Sequence, residues 1–290
     1  MELPGYLLAS TRYQGVEGAR MAGDRLEPSK WTDFLYGSAL AHAVGLWPWS
    51  DVFMSRELPE LILSTLSAGP VGVGDALGQI DATNLRRAMR ADSVLLKPDE
   101  PAEPVDAVFL SDAQSSRAPM VAATHSGEEV EVFAYPRAQG EQEVRVPLRE
   151  LGISGPAYEW DWVGGKGRRI ASGGSFPMGF RSGWAYAVLM PIGRDHVALL
   201  GDTDKIVPLA RERFPTVTNG AATTRVVVSY AVGENEVTLT GYAARRPKVR
   251  AIRGGVDSLR YAAATHLFQV TVHPGEGPDG ARSAELAIRD

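Results

Sequence analysis

Residues 30–51, KWTDFLYGSALAHAVGLWPWSD, run from a helix into a strand end, and the reading of that junction sets the fold class. Trp31, Phe34, Leu35, Ser38, Ala39 and His42 recur at i, i+3, i+4 and i+7 spacing. That spacing predicts a helix over Lys30–Val44 with one face turned inward. Ser29 stands where it would cap the first turn, and Gly45 where it would end the last. Beyond Gly45, Leu46-Trp47-Pro48-Trp49 gives way to Ser50-Asp51, a short apolar strand that opens into polar groups.

The same rhythm extends to both sides. Upstream, Tyr6–Ala9 reads as a buried strand that ends in Ser10, Thr11 and Arg12. Downstream, Leu58–Ser67 is a second helix, with Pro59 in its first turn and Gly69 beyond its end. Pro70-Val71-Gly72-Val73-Gly74 is a strand that closes on Asp75, and Asp81 caps a third helix carrying Ala82, Leu85, Ala88 and Met89. Strand, loop and helix in repetition predict a parallel α/β layer over residues 1–112.

After about Ser111 the period changes. Met120–Thr124 and Val130–Tyr135 flank Ser126-Gly127-Glu128-Glu129, a hairpin pattern. Trp184–Met190, Val197–Leu200, Arg225–Val232, Glu236–Tyr242, His266–Val272 and Ala284–Ile288 follow as short runs separated by turn residues. Such a series predicts an antiparallel β-sandwich over residues 113–290, with only Ile206–Arg213 able to form a helical turn. The fold class is therefore α/β plus all-β. A closed (β/α)8 barrel needs about 250 residues, far more than residues 1–112 supply.

The 290-residue chain carries 30 Lys and Arg against 35 Asp and Glu, a net charge of −5. That balance gives no electrostatic footprint for nucleic acid and no polybasic membrane patch. With 0 Cys, disulfides, thiolate nucleophiles and cysteine-held metals are excluded. Glu2 and Pro4 occupy the place of the cationic start of a secretory leader, so a cytoplasmic location is expected. No apolar run approaches the ~20 residues of a membrane helix.

Parallel α/β layers carry their chemistry at the carboxyl ends of their strands. On that ground Arg12, Asp51 and Asp75 are expected on one rim. Trp47 and Trp49 offer flat faces for the C–H side of a sugar ring, and the carboxylates would bind hydroxyls. The same residues also have ordinary structural uses: an aspartate there caps a neighbouring helix, and a tryptophan fills space. Glu17, Asp24 and Asp33 are further carboxylates in reach of that region. His42, His125, His196, His266 and His273 are scattered without metal-ligand spacing, so no cofactor is expected. Gly164-Gly165-Lys166-Gly167-Arg168-Arg169 lacks the phosphate-loop pattern and reads as a β-turn. Arg245, Arg246, Lys248, Arg250 and Arg253 read as the charged face of an edge strand.

These residues resemble the glycoside hydrolase family 36-like enzymes, in particular the raffinose synthase and alkaline α-galactosidase branch. Tyr36-Gly37-Ser38-Ala39 followed by Trp47-Pro48-Trp49-Ser50-Asp51-Val52-Phe53-Met54-Ser55 is similar to that branch's helix and P-x-x-D-x-F-x-S strand end. Ala68-Gly69-Pro70-Val71-Gly72-Val73-Gly74-Asp75 resembles its G-G-P-V-Y-V-S-D at the last barrel strand. Ser93–Pro98, Asp106–Phe109 and Met190-Pro191-Ile192-Gly193 fall in the matching order.

The resemblance implies a retaining α-glycosidase barrel followed by a β-sandwich, with about the last three β/α units present here. Tyr6–Ala9 would be strand six, the segment before Asp51 strand seven and Pro70–Val73 strand eight. The family's nucleophilic aspartate follows strand four, a part of the barrel with no counterpart in this chain. Its acid/base aspartate sits in an S-R-x-S-D-D-like motif after strand six. There Ser10–Gly15 is the equivalent stretch, with Gln14 and Gly15 at the aspartate positions and Glu17 or Asp24 as substitutes. The expectation is a glycoside hydrolase-like protein that acts on or binds α-galactosides or related sugars. A non-catalytic carbohydrate-binding or structural accessory protein is the alternative. Carbohydrate is the expected partner, together with a homo-oligomer or a partner chain that completes the barrel.

Overall fold

The computed structural model describes residues 17–114, 117–277 and 280–290. Tyr6–Ala9 and Arg12 lie outside the described residues, as do Gln14 and Gly15. Strand β1 (Gly18–Arg20) pairs in parallel with β2 (Trp47–Trp49), Gly18 opposite Trp47 and Arg20 opposite Trp49. Helix α1 (Trp31–Ala43) connects them. Helix α2 (Leu58–Leu66) follows, and Val73 then bridges Phe53, again in parallel. Helix α3 (Ala82–Leu85), strand β3 (Glu103–Pro104) and helix α4 (Asp106–Ala113) complete this part. Among the described residues the parallel pairing is confined to these short segments, and no barrel closes.

α1 lies where the period put it, with Trp31, Phe34, Leu35, Ser38 and Ala41 buried. Its start differs from expectation. A turn of 3-10 helix over Pro28–Lys30 leads into it, so Ser29 sits inside that turn and donates to Glu27 Oε1 at 3.0 Å instead of capping. Its end is the expected one. Gly45 takes φ 79°, a left-handed conformation that glycine adopts without strain. Gly45 N–H then reaches His42 O and Leu46 N–H reaches Ala41 O, both at 2.9 Å, satisfying the last carbonyls. α2 is buried along most of its length, from Glu60 to Leu66. α3 is a single turn, capped by Asp81 Oδ1 accepting from Asn84 N–H at 3.0 Å.

From Met120 onward the chain is almost entirely strand. In order come β4 (Met120–Ser126), β5 (Glu129–Tyr135), β6 (Glu143–Pro147), β7 (Ala157–Asp161), β8 (Lys166–Ile170), β9 (Ser175–Gly179) and β10 (Ala185–Pro191). Six of the strands form a sheet in the order β3-β4-β5-β10-β7-β8, and β6 pairs with β9 as a separate ribbon. The predicted hairpin is present as β4 and β5, Met120 opposite Tyr135 and Ser126 opposite Glu129. Of the stretch Gly164–Arg169, expected as a β-turn, only Gly164 and Gly165 lie in the turn after β7, and Lys166–Arg169 belong to β8, paired with Tyr158–Asp161.

Then follow β11 (Val197–Gly201), β12 (Thr216–Asn219), β13 (Thr224–Ser229), β14 (Val237–Ala243), β15 (Lys248–Arg253), β16 (Gly255–Ala262), β17 (Leu267–His273), β18 (Gly275–Glu276) and β19 (Arg282–Arg289). They make two antiparallel sheets, β11-β14-β17-β16 and β12-β13-β19-β15, with β18 beside β19. Their inner faces share one buried cluster that includes Leu199, Val226, Val228, Leu239, Phe268, Val270 and Leu286. This is a β-sandwich. β15 is an edge strand that leaves Lys248 and Arg250 exposed, which discourages edge-to-edge association. The expected helical turn at Ile206–Arg213 is absent. Irregular turns replace it, because the main chain there is bonded to other layers.

A second buried cluster joins α1 and α2 to the six-stranded sheet, through Phe34, Leu35, Leu61, Ile62, Val132, Phe133 and Val188. Trp31 meets Phe133 and Tyr135 edge-on at 5.6 and 5.1 Å between centroids. Each such side chain contributes about 1.5–3 kcal/mol when fully buried. The two clusters divide the chain elsewhere than at the change of sequence rhythm, since β4–β10 lie largely with the helices. Among the described residues no helix is long and apolar enough to cross a membrane.

The six-stranded sheet also buries two carboxyls completely. Glu129 Oε1 accepts from Leu209 N–H at 3.0 Å and Glu131 Oε1 from Ser126 Oγ at 2.7 Å. Burial pushes Glu129 well above the usual carboxylate range and Glu131 up to about 8. With folded values raised, the contribution of the protonated form to stability is complete below about 4.5, the ordinary glutamate value. That contribution is lost as the pH rises through about 8. Thermal unfolding followed across this range should show stability falling with pH. Glu131→Gln, which keeps an acceptor for Ser126, should flatten that slope and raise Tm at the alkaline end.

Candidate functional site

The parallel ladder places Arg20 and Asp51 side by side. Beyond β1 the chain keeps company with the residues after β2, with Met21 N–H bonded to Trp49 O at 3.0 Å and Leu26 N–H to Val52 O at 3.1 Å. Arg20 Nη1 donates to Asp51 Oδ2 at 2.8 Å, while Asp51 Oδ1 accepts from Val52 N–H at 2.7 Å. Asp24 Oδ1 lies 3.7 Å from the same Arg20 nitrogen. One guanidinium thus faces two carboxylates in different settings. The Asp51 side chain is 20% exposed and held on both oxygens, whereas that of Asp24 is 98% exposed. This group stands at the carboxyl ends of two adjoining parallel strands.

Asp75 is close by but otherwise engaged. Gly74 N–H bonds Phe53 O at 2.8 Å, which brings the two loops together. Asp75 Oδ2 accepts from Ser55 N–H at 2.8 Å and Oδ1 from Ser55 Oγ at 2.9 Å. Ser55 Oγ accepts in turn from Asp81 N–H at 2.7 Å, and Asn84 Nδ2 donates to Ser55 O at 3.1 Å. Asp75 therefore ties the approach to α2 to the approach to α3. Glu57 accepts from Met54 N–H at 2.9 Å and pairs with Arg25, closing the same rim.

Glu17 and Trp47 are found at the other end of the strands. Trp47 N–H bonds Glu17 O at 2.9 Å, next to the Gly18–Trp47 register pair. Four residues of extended chain separate Trp47 from Asp51, about 13 Å at ~3.3 Å per residue. A cavity of about 430 Å³ opens there, lined by Glu17, Trp47, Gly69, Lys97 and Glu212. Trp49, the partner of Arg20 in register, is the tryptophan nearer the Asp51 end.

The structure thus groups Arg20, Asp24 and Asp51, sets Asp75 beside them as a loop tie, and separates Glu17 and Trp47 from the group. Arg12 lies outside the described residues. Arg20 is the residue that sequence reading missed. Its strand, Gly18-Ala19-Arg20, is too short and too plain to register as one. The available signal was the spacing of Arg20 and Asp24, four residues apart. Among the described residues no three His, Asp or Glu side chains are grouped to hold a metal ion.

No protein-family model matches the chain, and no curated protein sequence does. Among solved structures it is similar to a GH27 β-L-arabinopyranosidase from Geobacillus stearothermophilus, at 16% identity and a TM-score of 0.47, covering 64% of this chain and 47% of that one. A single-residue variant of that enzyme in complex with arabinose matches at 15% identity and a TM-score of 0.46, covering 64% and 48%. A protein of Bacillus halodurans C-125 assigned as an α-N-acetylgalactosaminidase matches at 12% identity and a TM-score of 0.39, covering 62% and 47%. The chain spans about half the length of these structures. Likenesses at this level assign it to no family.

The different engagement of the three aspartates predicts different costs on removal. Asp75→Ala leaves Ser55 without two hydrogen bonds and should destabilise by about 1–3 kcal/mol. Asp51→Asn weakens a half-exposed ion pair and should cost about 1 kcal/mol or less. Asp24→Ala should leave the unfolding midpoint unchanged. Urea denaturation of the three variants beside the parent chain ranks them.

Proposed function

We propose that this protein is a glycoside hydrolase-like chain that acts on or binds α-galactosides or related sugars. The observation that carries the reading is the Arg20–Asp51 pair, with Asp24 against the same guanidinium, at adjoining carboxyl ends of parallel strands. Parallel α/β layers place their chemistry at such ends. The sequence around it is the stretch that resembles the α-galactosidase and raffinose synthase branch. In this reading β1 takes the place of strand six that the resemblance gave to Tyr6–Ala9, β2 and the segment ending at Val73 are the last two strands of a (β/α)8 barrel, and the sandwich follows. Arg20 and Asp24 stand four residues apart, as do the arginine and second aspartate of the S-R-x-S-D-D pattern. Asp24 then takes the acid/base role in place of the Ser10–Gly15 stretch.

Each residue has a task in that chemistry. Asp24, when protonated, gives its proton to the glycosidic oxygen as the C–O bond breaks. It then takes a proton from the water that attacks the sugar. Its exposure gives a leaving group access. Asp51, fixed by Arg20 and Val52 N–H, presents its remaining lone pairs to sugar hydroxyls. Retention requires a second carboxylate about 5–5.5 Å from the first. We place that nucleophile on a segment beyond these 290 residues, in a longer chain or a partner chain. Among the described residues β1 pairs only with β2, and Leu77 and Ile80 are exposed, so these are surfaces for such a segment.

One observation favours the alternative of a non-catalytic sugar-binding or accessory protein. Both oxygens of Asp75 are taken by Ser55, so a rim carboxylate that could meet substrate serves the loops instead.

The 290-residue chain is expected to give no turnover of p-nitrophenyl α-D-galactopyranoside. It should bind D-galactose weakly, with NMR shifts at Arg20, Asp24 and Asp51. Arg20→Met should weaken that binding ~10-fold, about 1.4 kcal/mol. Turnover lost in Asp24→Asn would keep the acid/base role and overturn the placement of the nucleophile. Neither turnover nor shifts at these residues would overturn the sugar reading and leave the accessory one.

A further inference from the structure

The glycine-rich stretch Gly164–Arg169, the end of a turn and the start of β8, has a place in the fold that the rim chemistry does not use. Register puts its flanking side chains in rows across one face of the six-stranded sheet. Ala187 of β10 lies beside Asp161 of β7, which lies beside Lys166 of β8. The next row is Leu189, Glu159 and Arg168. Ala185 falls on the same face, because side chains alternate along a strand. Two alanines where neighbouring positions carry long side chains leave a hollow. Pro177, Met178 and Gly179 of β9 bound it on one side, and Arg181 and Ser182 on another.

The result is a cleft of about 290 Å³. That is the low end of the ~300–1,000 Å³ usual for ligand sites, with room for one ring and not for a chain of them. Its wall is a costly construction. The Glu159 side chain is 3% exposed and grips Arg168 in a fork, Oε2 to Nε at 2.6 Å and Oε1 to Nη2 at 3.2 Å. Burial outweighs that pairing and holds Glu159 above the usual carboxylate range. Arg168 Nη2 also donates to Pro177 O at 2.8 Å, which pins the guanidinium to β9, and among the described residues its Nη1 hydrogens have no partner. The carboxylate is buried while the Arg168 side chain is 44% exposed, so the pair carries a guanidinium to the mouth of the cleft.

The other polar groups keep hydrogen-bonding capacity for a ligand. Asp161 Oδ1 accepts from Gly164 N–H at 2.8 Å, and its Oδ2 lies so close over Gly164 that a Cβ there would meet it at 2.3 Å. Lys166, Arg181 and Glu143 form no ion pair among the described residues. The charges cancel, with Glu143, Glu159 and Asp161 against Lys166, Arg168 and Arg181. Neither a net anion nor a net cation is favoured. Donors and acceptors around an apolar floor of Ala185 and Ala187 instead match a ring that carries hydroxyls at its edge and C–H groups on its face.

We propose that this cleft binds a single neutral polyhydroxylated ring, a monosaccharide unit, at a site separate from the Arg20–Asp51 rim. It stands whether or not the rim is a glycosidase site. The acceptors are Asp161 and Glu143, and the donors are Lys166, Arg181 and the outer nitrogen of Arg168.

NMR titration of the ¹⁵N-labelled 290-residue chain with D-galactose, L-arabinose and glycine betaine tests it. The expected result is a shift of the Asp161–Arg168 and Ala185–Ala187 amides with either sugar and none with betaine. Asp161→Asn keeps the turn acceptor, and Ala185→Leu fills the floor. Each should raise the sugar Kd about tenfold or more at unchanged Tm. Lys166→Met provides an exposed substitution should Ala185→Leu fail to fold. Shifts confined to Arg20, Asp24 and Asp51 would overturn the cleft while supporting the rim. A stronger response to betaine, or sugar binding indifferent to these variants, would overturn it as well.

Discussion

The irregular segment from Asp202 to Phe214 holds the layers of this protein together through its main chain. Ile206 N–H bonds Arg87 O at 2.8 Å, Trp162 Nε1 donates to Lys205 O at 2.7 Å and Tyr186 Oη to Ile206 O at 2.5 Å. Leu209 N–H is taken by the buried Glu129, and Arg90 Nη1 reaches Glu212 O at 2.6 Å. The Lys205 ammonium donates to Arg86 O and Met89 O, carbonyls at the end of α3 and at the end of the 3-10 turn that follows it. A cation there also meets the negative end of the helical dipoles. The turn after α3, the six-stranded sheet and, through Ser229 N–H to Arg213 O at 2.8 Å, the sandwich are all bonded to this one stretch or to the residues beside it. Had Ile206–Arg213 formed a helix, its amides would have been spent internally.

That arrangement explains how polar groups come to lie deep in the molecule. A buried main-chain amide needs an acceptor, and at Leu209 the acceptor is a carboxyl rather than a carbonyl. Burying Glu129 beside Glu131 disfavours charge on both, and each is held protonated to a higher pH than in water. Arg213, 1% exposed, is fixed in the same manner by bidentate contact with Glu234. Elsewhere charge is used at the surface. The Arg20–Asp51–Asp24 group stays half open to solvent, and the cleft at Asp161 and Lys166 is lined by charges that cancel. The interior pairs secure the layers, and the outer ones remain free to meet ligands.

Much of this could be read from the chain. The period of Trp31–His42, the stop at Gly45, the cap at Asp81 and the hairpin around Gly127 are local patterns with local causes, and each took its predicted form. Sandwich strands were visible for the same reason, because alternation and turn residues are local. The candidate site was legible only in part. Asp51 and Asp24 were in view, but Arg20 sits on a strand of three residues that owes its existence to pairing with Trp47–Trp49. Asp75 looked like a rim residue because sequence does not show that Ser55 would occupy both its oxygens.

By itself, then, the sequence determined where α1, α2 and most of the antiparallel strands lie, and which carboxylates stand near the strand ends. Those follow from spacing, capping and charge, which act over a few residues. Tertiary structure alone decided which residues meet. It set Glu17 and Trp47 at one end of the strands and Arg20, Asp24 and Asp51 at the other, through a parallel register between segments almost thirty residues apart. It also placed β4–β10 with the helices and opened the cleft over Ala185 and Ala187. Register and layer assignment depend on how apolar faces far apart in sequence bury one another, and no local pattern carries that information.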